Sequence, residues 1–548
     1  MQLRVSLSKW QIFAWAAGII LSLPVAFLVF ESLKPSPDVF DHLRQTVLWH
    51  YTYNTILLIA GVAIVSCLIA LPLAWLVAYC DFPFRKQFEW ALMLPLAMPA
   101  YIIAYIYTDL LDYAGPIQIW LRTLFGWQNA SDYWFFDIRT LPGAVVMIAL
   151  VLYPYLYLIF KTALKEQSFK LVQASHLMGH SAWQSFYKVS LPLARGSIVA
   201  GITLISMEAM ADFATVHYFA VSTLTTAVYD TWLGYYSLTA AAKISAVMLL
   251  ILFVTLGVER FNRRSLHVAE RSGLVNSGCL YFLTGAKALL ASIWCLLILA
   301  LGFLLPVGVL MSYAINTFDQ VSHGQFYLYA WQSFKLAVIV SIVCMVIALL
   351  VAYYQRISRD SLKSWPGRVA SIGYALPGTV LAIAVLLVLS FFDQGLNRLA
   401  AFFGVSDSLG LLLSGSIFAL IFAYVVRFYA IAQGTLESSF ARIPPSFDMA
   451  SAAMGKTTGQ TLRLVHLPLL KRGILTAGLL IFIECMKELP AALLLRPFDF
   501  ETLATHVYQY ASDEQLELAA SSALFIVLVG LLPLYFITSS MESARRYE

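Results

Sequence analysis

Long apolar runs alternate with short polar segments along the whole chain. A transmembrane helix needs about 20 largely apolar residues. Runs of that kind centre on 10–31, 52–79, 89–111, 141–161, 197–221 and 239–258. Six more centre on 286–314, 331–354, 369–392, 410–431, 474–495 and 517–540. The pattern predicts an all-α polytopic membrane protein with about 12 transmembrane helices. The opening MQLRVSLSKW has the outline of a signal peptide. The apolar run from Trp10 to Phe30 is too long for a signal h-region and has no convincing small-residue cleavage site, so it is read as a retained first span.

Composition sharpens this picture by exclusion. Of 548 residues, 60% are apolar and only 12% are Asp, Glu, Lys or Arg. A soluble domain carries about 25% charged residues, and no polar stretch here is long enough to fold alone as a catalytic domain. A disordered chain, a secreted disulfide scaffold and a cytosolic enzyme with a membrane tail are excluded. A net charge of +5 gives no support to nucleic-acid binding. Cys67, Cys80, Cys279, Cys295, Cys344 and Cys485 form no CxxC pair, and most sit in apolar runs as small hydrophobes. The aromatic residues Trp49, Tyr51, Tyr53, Trp127, Tyr133 and Trp134 cluster near predicted interfaces, as an aromatic belt does.

The placement of Lys and Arg orients the spans. With the N-terminus inside, the inside segments hold 23 of them: Arg4, Lys9, Arg85, Lys86, Lys165, Lys170, Lys188, Arg195, Arg260, Arg263, Arg264, Arg271, Arg356, Arg359, Lys363, Arg368, Arg442, Lys456, Arg463, Lys471, Arg472, Arg545 and Arg546. The outside segments hold 6: Lys34, Arg44, Arg122, Arg139, Arg398 and Arg496. Both termini are therefore expected in the cytoplasm.

The chain repeats itself. QASHLMGHSAWQSFYKVSLPL at 173–193 matches MASAAMGKTTGQTLRLVHLPL at 449–469, with Gly179 and Gly455, Leu191 and Leu467, and Pro192 and Pro468 each 276 residues apart. Upstream, AMPAYIIA (97–104) resembles ALPGTVLA (375–382) at an offset of 278. The expected domains are 1–270, with a core at about 52–258, and 271–548, with a core at about 331–540. Six spans per half keep both halves in one orientation, so the repeats are parallel.

Each repeated loop has small residues, a glycine, an amphipathic run and then Leu-Pro. The glycine suits a left-handed residue ending one short helix, and the proline disfavours continuation into the next. Two short surface helices bent at the glycine are predicted, a shape that docks into a partner's groove. This pattern resembles the EAA motif, E-A-A-x3-G-x9-I-x-L-P, of binding-protein-dependent ABC importer permeases. The first copy presents Gln173, Ala174, Ser175, Gly179, Val189, Leu191 and Pro192; the second presents Met449, Ala450, Ser451, Gly455, Val465, Leu467 and Pro468. Both copies replace the leading Glu and carry Ser for the second Ala, so that glutamate's contacts to the ATPase are not carried over. The resemblance covers nearly the whole chain. MEAMADFATVHYF (207–219), STLTTAVYDTW (222–232) and ECMKELPAALLLRPFDFETLATHVYQYASDEQ (484–515) look like the fused, twelve-span permeases of ferric-iron importers.

That resemblance implies the type I ABC importer permease fold. It makes Ala174, Gly179, Leu191, Pro192, Ala450, Gly455, Leu467 and Pro468 the ATPase-coupling residues, within loops 171–192 and 447–468. It implies a place in a bacterial inner membrane, with a cytoplasmic ATPase dimer and a periplasmic substrate-binding protein as partners, ATP and Mg held by the ATPase, and no cofactor on this chain. MGKTTGQT (454–461) contains a Gly-Lys-Thr, but Ala450 stands where a P-loop needs glycine and no strand is expected ahead of it, so the chain is not expected to be an enzyme.

Charge inside a span points to function by default. Glu208 and Asp212 fall in one span and Glu484, Lys487 and Glu488 in another, with Glu208 matching Glu484 and Asp212 matching Glu488 at the offset of 276. Each carboxylate pair is spaced i, i+4 and shares a helix face. One reading lines a translocation pathway with all four, as a hard cation such as Fe3+ would favour; transit needs weak sites, so no stable metal site is expected. The other reading is structural, with Lys487 pairing a carboxylate or part of each pair lying at the outer interface. Lys243 and Lys335 are read as snorkelling near span ends. No HExxH spacing appears among the nine histidines, and His176, His180 and His466 of the repeated loops are read as solvated or packed.

Ferric-iron import by alternating access is the function the resemblance implies. Thiamine, sulfate, molybdate, phosphonate and polyamine importers share the architecture. An ATP-independent secondary transporter would not need the duplicated loops, and a membrane-embedded enzyme would need a nucleophile or histidine set that the acids lack.

Overall fold

A computed structural model describes residues 2–545 except 36, 168, 265–279, 320–322, 359 and 405–408. Arg271, Arg359, Arg546, Cys279 and the expected boundary at 270/271 lie outside the described residues.

The described chain is built of helices, with one two-residue parallel strand pair joining Cys80–Asp81 to Tyr281–Phe282. Eight helices among the described residues are long and apolar enough to cross a membrane, and two bent helix pairs raise the number to ten. All ten fall on expected spans. The other two expected spans are the helices Leu467–Lys487, set apart by Lys471, Arg472, Glu484 and Lys487, and Leu516–Arg545.

Proline explains where several spans depart from straight rods. The span expected at 89–111 is a pair, Arg85–Ala97 and Ala100–Phe125, bent by 90°. Pro99 disfavours helical geometry at the residue before it, and Met98 is extended, with ψ 122°. The span expected at 369–392 breaks at the matching place: Leu376 before Pro377 has ψ 101°, and the helix starts at Gly378.

The molecule divides into two compact units. One comprises Met1–Leu43, Ala227–Ala246 and Ser322–His506; the other comprises Arg44–Thr226, Val247–Val321 and Val507–Glu548. Their boundaries do not follow contiguous sequence halves. In the first unit the helices His323–Ile357, Ile417–Ala441 and Leu467–Lys487 pack on one another, and the N-terminal helix Gln2–Ser32 lies against His323–Ile357 and Gly378–Phe402. In the second, Leu48–Tyr79, Leu141–Glu166 and Arg195–Ala211 form the matching trio, and Leu305–Asn316 packs on Leu516–Arg545. Each trio is thus formed by one sequence half, while end spans of the other half complete its unit. The apolar faces outside each trio are what those helices cover.

Candidate functional site: two repeated loops and two broken helices

The repeated loops fold alike from their first residue to their last. In the first, Phe169–Leu177 is helical, Gly179 has φ +84°, and a second short helix begins at Ala182. In the second, Ser446–Ala453 is helical, Gly455 has φ +72°, and the next helix begins at Thr458. The left-handed backbone is where glycine avoids the Cβ penalty of other residues. A capping box opens each second helix, from Ser181 and Gln184 in one loop and Thr457 and Gln460 in the other. Gly455, Lys456 and Thr457 therefore connect two helices, with a helix and not a strand ahead of them.

Burial repeats as well. Ala174, Gly179 and Pro192 are exposed, as are Ala450, Gly455 and Pro468, whereas Leu191 and Leu467 are partly covered. A π-helical turn precedes each Leu-Pro, at Phe186–Ser190 and Leu462–His466. The Leu191 and Leu467 N–H groups bond back five residues, to Phe186 O and Leu462 O. That wider turn lets Pro192 and Pro468, which lack an N–H, enter helical structure without opposing an i−4 carbonyl. The proline therefore opens the next helix. In the first copy the chain still bends by 72° between Ala182–Leu193 and Arg195–Ala211; in the second, Leu467–Lys487 runs unbroken.

The serines that depart from the EAA pattern have a structural use. Ser175 Oγ lies 2.9 Å from Ser185 Oγ, and Ser451 Oγ lies 2.8 Å from Thr461 Oγ1, all four buried. Each bond ties the two short helices of one loop together across the glycine. An alanine has no such bond to offer, and the sequence signal was present: a hydroxyl recurs at both positions of both copies.

The supports beneath the loops differ. In the first, Gln167 accepts from Tyr79 Oη at 3.2 Å and donates to Ser190 O at 3.0 Å, and His176 Nε2 meets Tyr281 Oη at 2.6 Å. In the second, Asp448 accepts from Arg356 Nε at 3.0 Å and Nη2 at 2.6 Å, and lies 2.7 Å from His466 Nε2. His466 occupies the position of Ser190 and is fully buried. Burial pushes its imidazole below the ordinary histidine value, with the Asp448 hydrogen bond opposing. Its Nδ1 has no partner among the described residues, so a proton there would be buried unsatisfied.

The intramembrane acids stand where two helices end. Arg195–Ala211 stops at Asp212, with ψ 126°, and Leu467–Lys487 stops at Glu488, with ψ 121°. Glu208 and Glu484 lie one turn earlier, inside those helices and partly covered. The second member of each pair is thus the first residue past its helix, and the spans expected at 197–221 and 474–495 are interrupted there. Asp212 accepts from Thr215 N–H and Thr215 Oγ1, both at 3.0 Å, opening the short helix Ala214–Tyr218. Glu488 Oε1 accepts from Ala491 N–H at 3.3 Å, at the start of Pro490–Leu495.

Their charge compensation differs too. Glu488 Oε2 is 3.2 Å from Arg427 Nε, with both side chains nearly enclosed. A Cβ on Gly378 would lie 2.7 Å from Glu488 Oε1, so glycine makes room for the pair. No ion pair reaches Asp212 among the described residues. Lys487 approaches Glu484 at 3.9 Å. The Arg427–Glu488 bridge was missed from sequence, although opposite charges in two apolar segments gave the signal. Lys161, buried in its span, likewise faces Glu89 at 3.7 Å, and Lys165 pairs with the same carboxylate. No three His, Cys, Asp or Glu side chains converge as metal ligands among the described residues.

Residues 70–267 match the family described as binding-protein-dependent transport system inner membrane component. Over 528 residues, 95% of this chain and 96% of the relative, the chain is 24% identical to an Fe(3+)-transport system permease protein of Haemophilus influenzae. Both likenesses are to membrane components of transport systems. It is also 24% identical to a sulfate transport system permease protein of Escherichia coli, over 36% of this chain and 66% of that one. A molybdenum transport system permease protein of H. influenzae is 29% identical over 28% of this chain and 65% of its own length. The matched family segment contains the first repeated loop, Glu208 and Asp212. The second loop, Glu484 and Glu488 lie beyond it, yet the chain gives them the same local backbone.

Proposed function

We propose that this permease imports ferric iron, driven by ATP hydrolysed on a separate cytoplasmic ATPase. The observation that carries the substrate is the length of the similarity. The Fe(3+) relative aligns over 95% of the chain, whereas the sulfate and molybdenum relatives align over 36% and 28%. In this reading both termini and both repeated loops face the cytoplasm, in keeping with the Lys and Arg bias. Loops 171–192 and 447–468 dock on an ATPase dimer, and ATP-driven approach of its subunits opens the permease outward beneath a periplasmic binding protein. The cation then passes Glu208, Asp212 and Glu484, while Glu488 holds its helix break through Arg427.

The test is reconstitution of the chain with its ATPase and binding protein in vesicles. ATP-dependent uptake of Fe3+, with none of thiamine, sulfate, molybdate, phosphonate or polyamine, is expected. Uptake of one of those instead of Fe3+ overturns the substrate, and uptake without ATP favours a secondary transporter.

A further inference from the structure

We propose that one compact unit alone carries a weak site for a hard, multivalent cation, formed by the Asp212 carboxylate and the hydroxyl oxygens of Tyr105 and Tyr508. For its role in transport this rests on the ferric-import reading.

Three observations meet there. First, Asp212 is an acid in a membrane span with hydrogen-bond donors but no cationic partner among the described residues. A carboxylate offers about four lone-pair directions, and its bonds to Thr215 and Val216 leave capacity for a metal. An uncompensated carboxylate in such a setting is costly unless a cation neutralises it. Second, Tyr105 is 1% exposed, and its hydroxyl has no hydrogen-bond partner among the described residues. Buried polar groups are normally satisfied, so such a hydroxyl calls for a ligand. Third, the surroundings are rich in oxygen. Tyr101 lies one turn before Tyr105, with ring centroids 5.8 Å apart, and Tyr218 packs edge-on to Tyr105 at 4.4 Å. One short helix, Ala214–Tyr218, gathers these groups: Asp212 opens it through Thr215, Tyr105 packs on Tyr218 at its end, and the Tyr508 ring lies 6.2 Å from that of Phe213, the residue after Asp212. Tyr508 Oη is oriented by His217 Nδ1 at 2.9 Å.

The matching place in the other unit keeps a tyrosine, Tyr229, for Tyr508, but lacks the other elements. Ile383 stands for Tyr105 and Thr379 for Tyr101 at the offset of 278. Glu488, the counterpart of Asp212, already has Arg427. An anion is disfavoured because Arg139, beside Tyr218, is taken up by Asp112 at 3.4 Å and Glu514 at 3.2 Å. Phenol and carboxylate oxygens are hard ligands, and one carboxylate with neutral hydroxyls binds loosely enough to release its ion.

Terbium(III) tests this directly, because a hard trivalent ion emits when a tyrosine within a few ångströms passes it excitation energy. The purified full-length chain in nanodiscs is titrated with Tb3+ and excited in the tyrosine band. Saturable emission is expected, with roughly tenfold weaker apparent affinity in Asp212→Asn, the loss expected for one charged ligand. Tyr105→Phe should lower emission and affinity together. Tyr153→Phe, whose hydroxyl already bonds Leu92 O at 2.9 Å in the same unit, should leave both unchanged. Asn preserves an acceptor for Thr215, and Phe removes a hydroxyl with no protein partner, so both variants should fold; elution as a single species confirms it. Emission unaffected by Asp212→Asn and Tyr105→Phe overturns the site, as does an equal loss in Tyr153→Phe. If the Tb3+ pattern holds while reconstituted vesicles import no Fe3+, the ferric reading fails and the site stands.

Discussion

Asp212 and Glu488 end equivalent helices at equivalent residues, with ψ 126° and ψ 121°. The backbone is repeated, but the electrostatics are not. Glu488 has an arginine at 3.2 Å and a glycine that makes room for it, whereas Asp212 is held by a threonine and has no ion pair among the described residues. The repeated loops show the same division. Glycine angle, capping box, π turn and hydroxyl pair recur, while the support is an amide in one loop and an Arg–Asp–His network in the other. A duplicated backbone keeps local geometry because glycine, proline and capping residues impose it. Charges are free to diverge, since each needs only a partner nearby.

The largest test of that contrast is Arg427→Met. It leaves Glu488 buried and unpaired, a change that costs about 3–5 kcal/mol. Asp212→Asn should cost far less, because an acceptor for Thr215 survives. Thermal unfolding of the two purified variants compares them, and equal shifts would erase the distinction.

Gly378→Ala comes next. The added Cβ would crowd Glu488 Oε1 at 2.7 Å and Pro490 Cβ at 2.9 Å, and overpacking of this kind costs about 1–3 kcal/mol. The first half already has Ala100 at the matching position, so only the unit holding the ion pair should object. A neutral or stabilising result in the same melting assay would mean that the pair does not need this space.

Replacing Gly179 and Gly455 together by Val tests what the loops share. Neither glycine has an atom within 4 Å of a built Cβ, so the expected penalty is the left-handed backbone alone, about 1–2 kcal/mol per site. On the proposed docking, the chain should stay folded and lose the ATPase. Retention of the ATPase by the double variant would separate the bend from docking.

The smallest expected effect is a pH dependence confined to the second loop. His466 in the folded protein binds its proton less readily than in the unfolded chain. Its contribution is therefore complete above about pH 6.5 and lost as the pH falls below the unfolded value. Limited proteolysis at 446–466 should accelerate on acidification, with no parallel change at 169–190. His466→Ser, which installs the first loop's residue, should flatten the response; an unchanged acid response would remove His466 as its cause.

Much of the fold was legible because the signals are local. Apolar runs of span length marked the helices, and the spacing of Gly179 and Pro192 against Gly455 and Pro468 announced two equivalent loops. Proline effects were only partly read. Pro99 and Pro377 break their spans, but Pro192 and Pro468 begin helices because a π turn absorbs the missing N–H. Of the site, the four acids were found by their rarity in apolar segments. Arg427 was visible as a charge but could not be assigned to Glu488, which lies 61 positions away in the chain.

The sequence by itself determined the helical membrane architecture, the tandem repeat and the bend in each loop, since hydrophobic length, left-handed backbone and proline chemistry act within a few residues. Only the tertiary structure decided that spans from one half complete the unit built on the other. It alone decided that Arg427 neutralises Glu488 and that no ion pair reaches Asp212 among the described residues. The physical reason is range: a charge is stabilised by whatever folding brings within a few ångströms, and that neighbour is set by packing between distant segments.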